Sequence, residues 1–237
     1  MRRLLSFSLI VFALGFVTVP DASAQQSFNF YIGAFSPESL ASRNTNDVLF
    51  QNSSFLTTVE GNENFDMSRF TGVSLGGEYL VGLGNNLEGS LGLGFYQRTV
   101  PAFYTASVNA NGSEIVQDMR LRVVPFTATF RFLPLGHNSG VQPYIGAGIG
   151  VFAWHYSETG QFVDSRNNIF VDSFRASGSA TGPVVLGGVR IPIGAMGVGG
   201  EIRWQNAKGD LPSDQGFAGS EISLGGFNYI FTMNFKF

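Results

Sequence analysis

The sequence predicts an all-β protein, a single antiparallel up-and-down transmembrane β-barrel of eight strands. Three observations carry that reading. In the last eleven residues, odd positions read Phe227, Tyr229, Phe231, Met233, Phe235 and Phe237, while even positions read Asn, Ile, Thr, Asn and Lys. A strand sends successive side chains to opposite faces, so this ribbon has one greasy and one mostly polar side, as a lipid-facing strand requires. Eight alternating segments are joined by links that run long, short, long, short. The composition combines 31 glycines with 24 phenylalanines. Glycine weakens helices, and phenylalanine in such number needs an apolar surrounding that lipid supplies.

Residues 1–24 read as a cleaved secretory signal peptide. Arg2 and Arg3 form a basic start, Leu4 to Val19 is apolar, and Ala22-Ser23-Ala24 is a small-residue cleavage site. The apolar run spans ~16 residues, short of the ~20 a spanning helix needs. The barrel domain is then expected over 25–237. No later run of 18 apolar residues exists, so insertion into a membrane requires a closed barrel. The whole chain carries 14 basic and 17 acidic residues; without Arg2, Arg3 and Asp21 these become 12 and 16, a net charge of −4. No basic field is present to attract nucleic acid. The absence of cysteine excludes a disulfide scaffold, a thiol nucleophile and an acylated lipoprotein.

The segments follow from apolar parity. The first, 27–36, sends Phe28, Phe30, Ile32 and Ala34 outward. The second, 67–81, sends Val73, Leu75, Tyr79 and Val81 outward and Glu78 inward. The third, 87–98, has Leu87, Leu91, Leu93 and Phe95 outward, with Glu88, Tyr96 and Arg98 inward. The fourth, 116–132, changes parity near Val124-Pro125: Met119, Leu121 and Val123 lie on one register, Phe126, Ala128, Phe130 and Phe132 on the other. Proline cannot donate to a ladder, so a bulge is expected there. The fifth, 140–156, has Ile145, Ala147, Ile149, Val151 and Ala153 outward, and Tyr144, Gly146, Gly148 and Gly150 inward. The sixth, 179–192, puts Val185, Val189 and Ile191 outward and Arg190 inward. The seventh, 197–207, puts Val198, Ile202 and Trp204 outward and Glu201, Arg203 and Gln205 inward. The eighth is 221–237.

Short links are Gly82 to Asn86, Leu133 to Ser139 and Ile193 to Met196. Long ones are 37–66, 99–115, 157–178 and 208–220. Outer-membrane barrels are built with this alternation of short periplasmic turns and long external loops. A ten-strand wall is the alternative if loop 37–66 adds a hairpin to it, and Ile169-Phe170-Val171 is a stretch able to extend its neighbouring strands.

The terminal segment resembles the closing strand of a bacterial outer-membrane barrel. In that class a terminal Phe belongs to the signal read by the assembly machinery, which implies that role for Phe227, Tyr229, Phe231, Phe235 and Phe237. Val124-Pro125-Phe126-Thr127, Pro143-Tyr144-Ile145-Gly146-Ala147-Gly148-Ile149-Gly150 and Gly187-Gly188-Val189-Arg190-Ile191-Pro192 resemble the small outer-membrane β-barrel family, related in form to OmpA- and OmpX-type membrane domains. The resemblance implies eight strands and no single activity. The chain stops at the eighth strand, with no place for an OmpA-type peptidoglycan-binding domain.

Chemistry-bearing residues fall into three groups. Glu78, Glu88, Arg98, Arg131, Arg190, Glu201, Arg203 and Lys236 are expected to form a lumen ion-pair network, joined by Arg120 or Arg122 depending on the bulge. An eight-strand lumen holds only its own side chains, and charges there must pair. Inward Gly146, Gly148 and Gly150 leave room for neighbouring Arg and Tyr. His155 and Ser157 share a face and resemble the His-x-Ser of lipid A 3-O-deacylases, small outer-membrane barrels with an outward site. Here Glu158-Thr159 replaces the supporting Asn-Ala, and the alternative is a rim histidine in an aromatic belt. His137, in a Gly-Asn-Ser turn, is expected to be solvated. Asp47, Glu60, Glu63 and Asp66 lack calcium-loop spacing and read as solvated charge. No metal or cofactor is expected, and the alternating glycines at 146–150 are not a phosphate loop.

The expected role is therefore non-enzymatic and located in the bacterial outer membrane. It is structural or surface-interacting, through four long external loops over a side-chain-plugged lumen, as a monomer with both mature termini in the periplasm. The alternatives are a narrow ion or small-solute channel, and a lipid A-modifying acyl hydrolase using His155 and Ser157. Expected partners are outer-membrane lipid, the barrel-assembly machinery and a surface ligand on the loops.

Overall fold

The structure is a computed structural model describing residues 25–61 and 64–237. The expected signal peptide and Glu63 lie outside the described residues. In chain order the elements are β1 (Gln26–Pro37), α1 (Val48–Asn52), β2 (Leu56–Thr57), β3 (Gly72–Gly82), β4 (Leu87–Val108), β5 (Glu114–Phe132), β6 (Gln142–Val163), β7 (Ile169–Ile193), β8 (Met196–Gln205), β9 (Lys208–Asp210), β10 (Glu221–Ser223) and β11 (Gly226–Lys236). Single 3-10 turns occupy Leu40–Ser42 and Met67–Phe70.

Eight strands close a ring in the order β1-β3-β4-β5-β6-β7-β8-β11, with every neighbour antiparallel. β11 returns to β1 in unbroken register from Ser27↔Lys236 to Pro37↔Gly226. The ring has no edge, which is the condition for a sheet to sit in hydrocarbon. Among the described residues, loop 37–66 adds no hairpin to the wall. Its β2 pairs only with Phe103 and Tyr104 of β4, while β9 and β10 pair with each other.

The outward positions carry an apolar belt. Phe130 is 67% exposed, Ile145 66% and Leu91 65%, and Phe30, Ile32, Val73, Val185, Ile202, Tyr229 and Phe231 continue it round the ring. Surface of that extent and composition belongs against lipid.

The strands differ in length. β1, β3, β8 and β11 have 10 to 12 residues, about what a bilayer crossing takes, whereas β4 to β7 have 19 to 25. Two of the four expected long loops are therefore mostly wall. Segment 99–115 shrinks to a turn at Asn109–Ser113, and 157–178 to one at Asp164–Asn168. Gly112, at φ 80, supplies the left-handed residue of the first turn. In the second, Asp164 accepts from Asn168 Nδ2 at 2.9 Å and from Asn168 N and Arg166 N, both at 2.8 Å, and these bonds, the first most, lower its carboxyl pKa.

The expected bulge at Val124-Pro125 does not form. Leu93↔Phe126 and Tyr96↔Val123 keep one register across it, and the irregularity of this ladder lies between Phe103 and Val108. What changes at Val124-Pro125 is polarity. Toward the short-turn end β5 has Phe126, Ala128, Phe130 and Phe132 outside, with Thr127, Thr129 and Arg131 inside. Toward the other end it has Asp118, Arg120 and Arg122 outside, with Met119, Leu121 and Val123 inside. β6 inverts likewise: Ile149 and Val151 face out on one side, and Phe152, Trp154 and Tyr156 face in on the other. The outer solvent changes from lipid to water at this level, so the side-chain pattern exchanges faces while the backbone continues.

The upper half is filled by an apolar core. Phe152, Trp154, Tyr156, Met119, Leu121 and Val123 of the wall pack with Val48 and Leu49 of α1, Leu56, Met67 and Phe70 of loop 37–66, and Ile222 and Leu224 near β10.

Candidate functional site: the lumen and the outer wall

The inward parity of three strands brings two glutamates and two arginines together. Arg131 of β5 lies 2.6 Å from Glu78 of β3 and 3.0 Å from Glu201 of β8. Arg203 of β8 lies 2.7 Å from Glu78 and 2.6 Å from Glu201. The four pairs form a closed ring of alternating charge. Asn29 Nδ2 donates to Glu78 at 3.1 Å and Tyr144 Oη donates to Glu201 at 3.1 Å. The Arg131 guanidinium sits 5.0 Å from the Tyr144 ring centroid, and that of Arg203 5.3 Å from Tyr31. Gly76 and Gly94 admit Tyr31, because a Cβ at either would overlap its phenol oxygen. A Cβ at Gly146 or Gly148 would instead meet the β5 backbone, at the Phe130 and Ala128 carbonyls, and one at Gly150 the Phe152 ring.

A second cluster closes the short-turn end. Arg190 of β7 pairs with Glu88 of β4 at 2.5 Å and donates to Gln142 at 2.8 Å. His137 is not solvated as expected. Its Nε2 lies 3.0 Å from Glu88 and its Nδ1 2.7 Å from the Asn85 carbonyl. Both partners accept only, so making both bonds at once requires the protonated ring. The bond to Glu88 is the main cause that raises the His137 pKa above 6.5, helped by the Asn85 carbonyl and opposed by partial burial.

Other expected members of the network lie elsewhere. Arg98 is exposed, and its Nε donates to the Arg69 carbonyl at 2.9 Å beside the Met67–Phe70 turn. Arg120 and Arg122 are outside the wall, because the register does not shift. Lys236 reaches the mouth near Arg190 and Glu88, and among the described residues it forms no ion pair. Phe227, Tyr229, Phe231 and Phe237 are exposed on the outer face of β11 or just beyond it. Phe235 is half-buried, its ring 6.1 Å from that of Phe30.

The upper core holds polar groups that sequence reasoning missed. Arg43 Nη1 donates to both Asp47 oxygens at 3.0 and 2.9 Å, with both side chains buried. Asp47 also caps α1 through Leu49 N and Phe50 N and accepts from Ser223 N at 2.6 Å, so it ties loop 37–66 to β10 rather than being solvated. The only sequence signal was an Asp directly before Val48-Leu49-Phe50, a helix-start pattern. Glu158 is buried and accepts at 2.7 Å from both Asn52 and Tyr156. Asp66 accepts from Ser68 N and Oγ at 2.9 and 2.8 Å, which lowers its pKa.

His155 and Ser157 do lie on the outer wall, in a polar cleft of about 360 Å³ that also includes Thr99, Asp118, Arg120 and Arg175. Among the described residues no hydrogen bond joins His155 to Ser157. The carboxylate beside them in sequence, Glu158, points to the opposite face.

No family model matches this sequence, and no curated protein sequence matches it. Among solved structures it is similar to Ail, the attachment invasion locus protein of Yersinia pestis, in complex with the heparin analogue sucrose octasulfate. That match has 12% identity and a TM-score of 0.41, over 90% of this chain and 99% of the other. Neisserial surface protein A matches at 12% identity and TM-score 0.48, over 90% and 97%. The N-terminal β-barrel domain of Pseudomonas aeruginosa OprF matches at 10% and 0.38, over 90% and 97%. The wall itself, closed, antiparallel and apolar outside, is that of an eight-stranded outer-membrane β-barrel.

Glu201→Ala leaves Arg131 and Arg203 sharing Glu78 alone. Urea unfolding in detergent is expected to show a loss of about 3 kcal/mol, the cost of stranding buried charge; an unchanged midpoint would refute the pairing. A second outcome concerns pH. The folded His137 pKa is raised, so its bond to Glu88 stabilises fully below the unfolded value of 6.5 and fades as pH rises through the folded value. The wild-type advantage over His137→Gln is therefore expected at pH 5.5 and not at pH 9. An advantage that grows with pH contradicts the assignment.

Proposed function

We propose that the protein is a non-enzymatic outer-membrane barrel with a sealed lumen, acting as a structural and surface-interaction element through its outer end. One observation supports this above the others: the barrel axis is occupied twice. The ring of Glu78, Arg131, Glu201 and Arg203 fills the lower half, and the apolar core around Phe152, Tyr156 and Leu49 fills the upper. In this reading the short turns are periplasmic. The tips at Asn109–Ser113 and Asp164–Asn168, together with α1 and the β9–β10 pair, face the exterior. An ion would have to displace both layers to pass. An acyl hydrolase at His155 would need a serine hydrogen-bonded to it and a carboxylate on the same face. Purified protein in planar bilayers is expected to show no steady conductance. A stable, size-selective conductance whose selectivity changes in Arg203→Gln would overturn the sealed lumen and favour the narrow channel.

The outer face of β11 supports a second part of the reading. Phe227, Tyr229, Phe231, Phe235 and Phe237 form the aromatic face that the barrel-assembly machinery would recognise during insertion. Phe237→Glu is expected to reduce the folded, membrane-inserted fraction several-fold more than Lys236→Glu. Equal sensitivity at the two positions would show that this face is not what is read.

A further inference from the structure

The outer wall carries a second charge cluster that a sealed barrel leaves without a task. The register aligns Thr99, Arg120, Ser157 and Arg175 in one row across β4 to β7. The next row toward lipid aligns Gln97, Arg122, His155 and Ser177. Paired Cα atoms lie ~5 Å apart, so Arg120 and Arg175 flank Ser157 at roughly 10 Å and can converge on one group above it. The cleft of about 360 Å³ is lined by Arg120, Arg175, His155, Ser157 and Asp118, and Arg122 stands at its edge opposite His155. Arg120 Nε donates to Thr99 Oγ1 and Arg175 Nε to Ser173 Oγ, both at 3.1 Å. These bonds orient the stems and leave the forked ends pointing onward. Among the described residues, none of Arg120, Arg122 and Arg175 forms an ion pair, and neither does Asp118, the acid that lines the cleft. Three arginines against the single carboxylate of Asp118 leave an excess of positive charge, and an anion placed between them relieves their repulsion.

The height of the cluster selects the anion. Phe126 and Val151 are the last pair on β5 and β6 that is exposed and bulky on both strands, Val124 and Ala153 follow, and Arg122 and His155 lie four positions beyond Phe126 and Val151. At ~3.3 Å per residue and a tilt of about 40°, Arg122 stands roughly 10 Å beyond that pair and the row of Arg120 and Arg175 roughly 15 Å, so the cluster spans the headgroup level. All three cations are arginine, whose planar fork matches phosphate in a bidentate way. The cleft opens sideways on the wall, between the lipid-facing rows and the tips.

We propose that this cleft binds the phosphate of an anionic glycolipid headgroup in the outer leaflet. Arg120, Arg122 and Arg175 supply the charge, and Ser157 and Thr159 supply hydroxyl donors. The inference rests on the outer-membrane reading above and adds a lipid ligand to it.

The test offers purified full-length protein in mild detergent three probes: a bisphosphorylated glucosamine-disaccharide lipid, the same lipid stripped of phosphate, and inorganic phosphate. Retained lipid is counted by native mass spectrometry. The phosphorylated lipid is expected to bind at least about tenfold more tightly than the stripped one. The triple variant R120Q/R122Q/R175Q is expected to lose that preference, and R122Q alone to lose part of it. R166Q, at the Asp164–Asn168 tip, is expected to keep it. Heat-modifiable gel migration checks that each variant is folded. Equal retention of the stripped lipid, or wild-type binding by the folded triple variant, overturns the proposal. Displacement of the lipid by an equal concentration of inorganic phosphate makes the site one for a soluble anion and overturns the lipid assignment. Conductance of the same preparation is a separate reading. An open pore sinks the sealed barrel and leaves the lipid result standing, while a sealed barrel without phosphate preference sinks this inference alone.

Discussion

The pairing of β1 with β11 is the constraint on which the rest depends. Without it β1 and β11 would be free edges in hydrocarbon, each unpaired backbone group costing several kcal/mol. Closing the ring with eight strands fixes a narrow lumen, and a narrow lumen leaves inward charges close to one another with little water between them. The ring of Arg131, Glu78, Arg203 and Glu201 is the arrangement in which each charge meets two of the opposite sign. Such a lattice is weak evidence of extra stability, since apolar residues of the same volume can do as well. What it contributes is register: slipping any of β3, β5 or β8 by one residue would turn a charge into lipid.

Much of this was legible in the sequence. Within the bilayer, a side chain's surroundings depend only on whether it faces lipid or lumen, and period-two alternation states that directly. Glu78, Glu88, Arg131, Arg190, Glu201 and Arg203 could be placed inside for that reason. The rule fails at the ends of the lumen. Arg98 has inward parity but sits at the height where loop 37–66 enters, so it bonds the Arg69 carbonyl. His137 sits in a turn, where parity has no meaning, and only the three-dimensional return of that turn beneath Glu88 makes it a partner.

The misread bulge has a more general cause. A change of apolar parity along a strand has two physical origins: the backbone can gain a residue, or the solvent outside can change. Val123, Val124, Pro125 and Phe126 look the same under both. The unbroken pairing of Leu93 with Phe126 and Tyr96 with Val123 selects the second. The same ambiguity hid the true lengths of β4, β6 and β7. Their outer portions carry polar residues outward and so resemble loops when read for a lipid-facing pattern. Asp47 and Glu158 escaped for a related reason, since acids in a stretch read as a solvated loop give no hint that they are buried.

Unequal strand lengths give the outer end two textures. On one flank β4 to β7 rise as continuous sheet joined by turns of about five residues, a parapet with few places to accept an insertion. On the other flank β1, β3, β8 and β11 stop low, and α1, the Met67–Phe70 turn and the β9–β10 pair complete the enclosure. Sequence change is therefore channelled. The parapet can vary its outward side chains but not its outline, whereas the low flank can lengthen at 212–219 without disturbing a ladder of the wall. A macromolecule approaching from outside meets a fixed rampart on one side and a remodelled floor on the other.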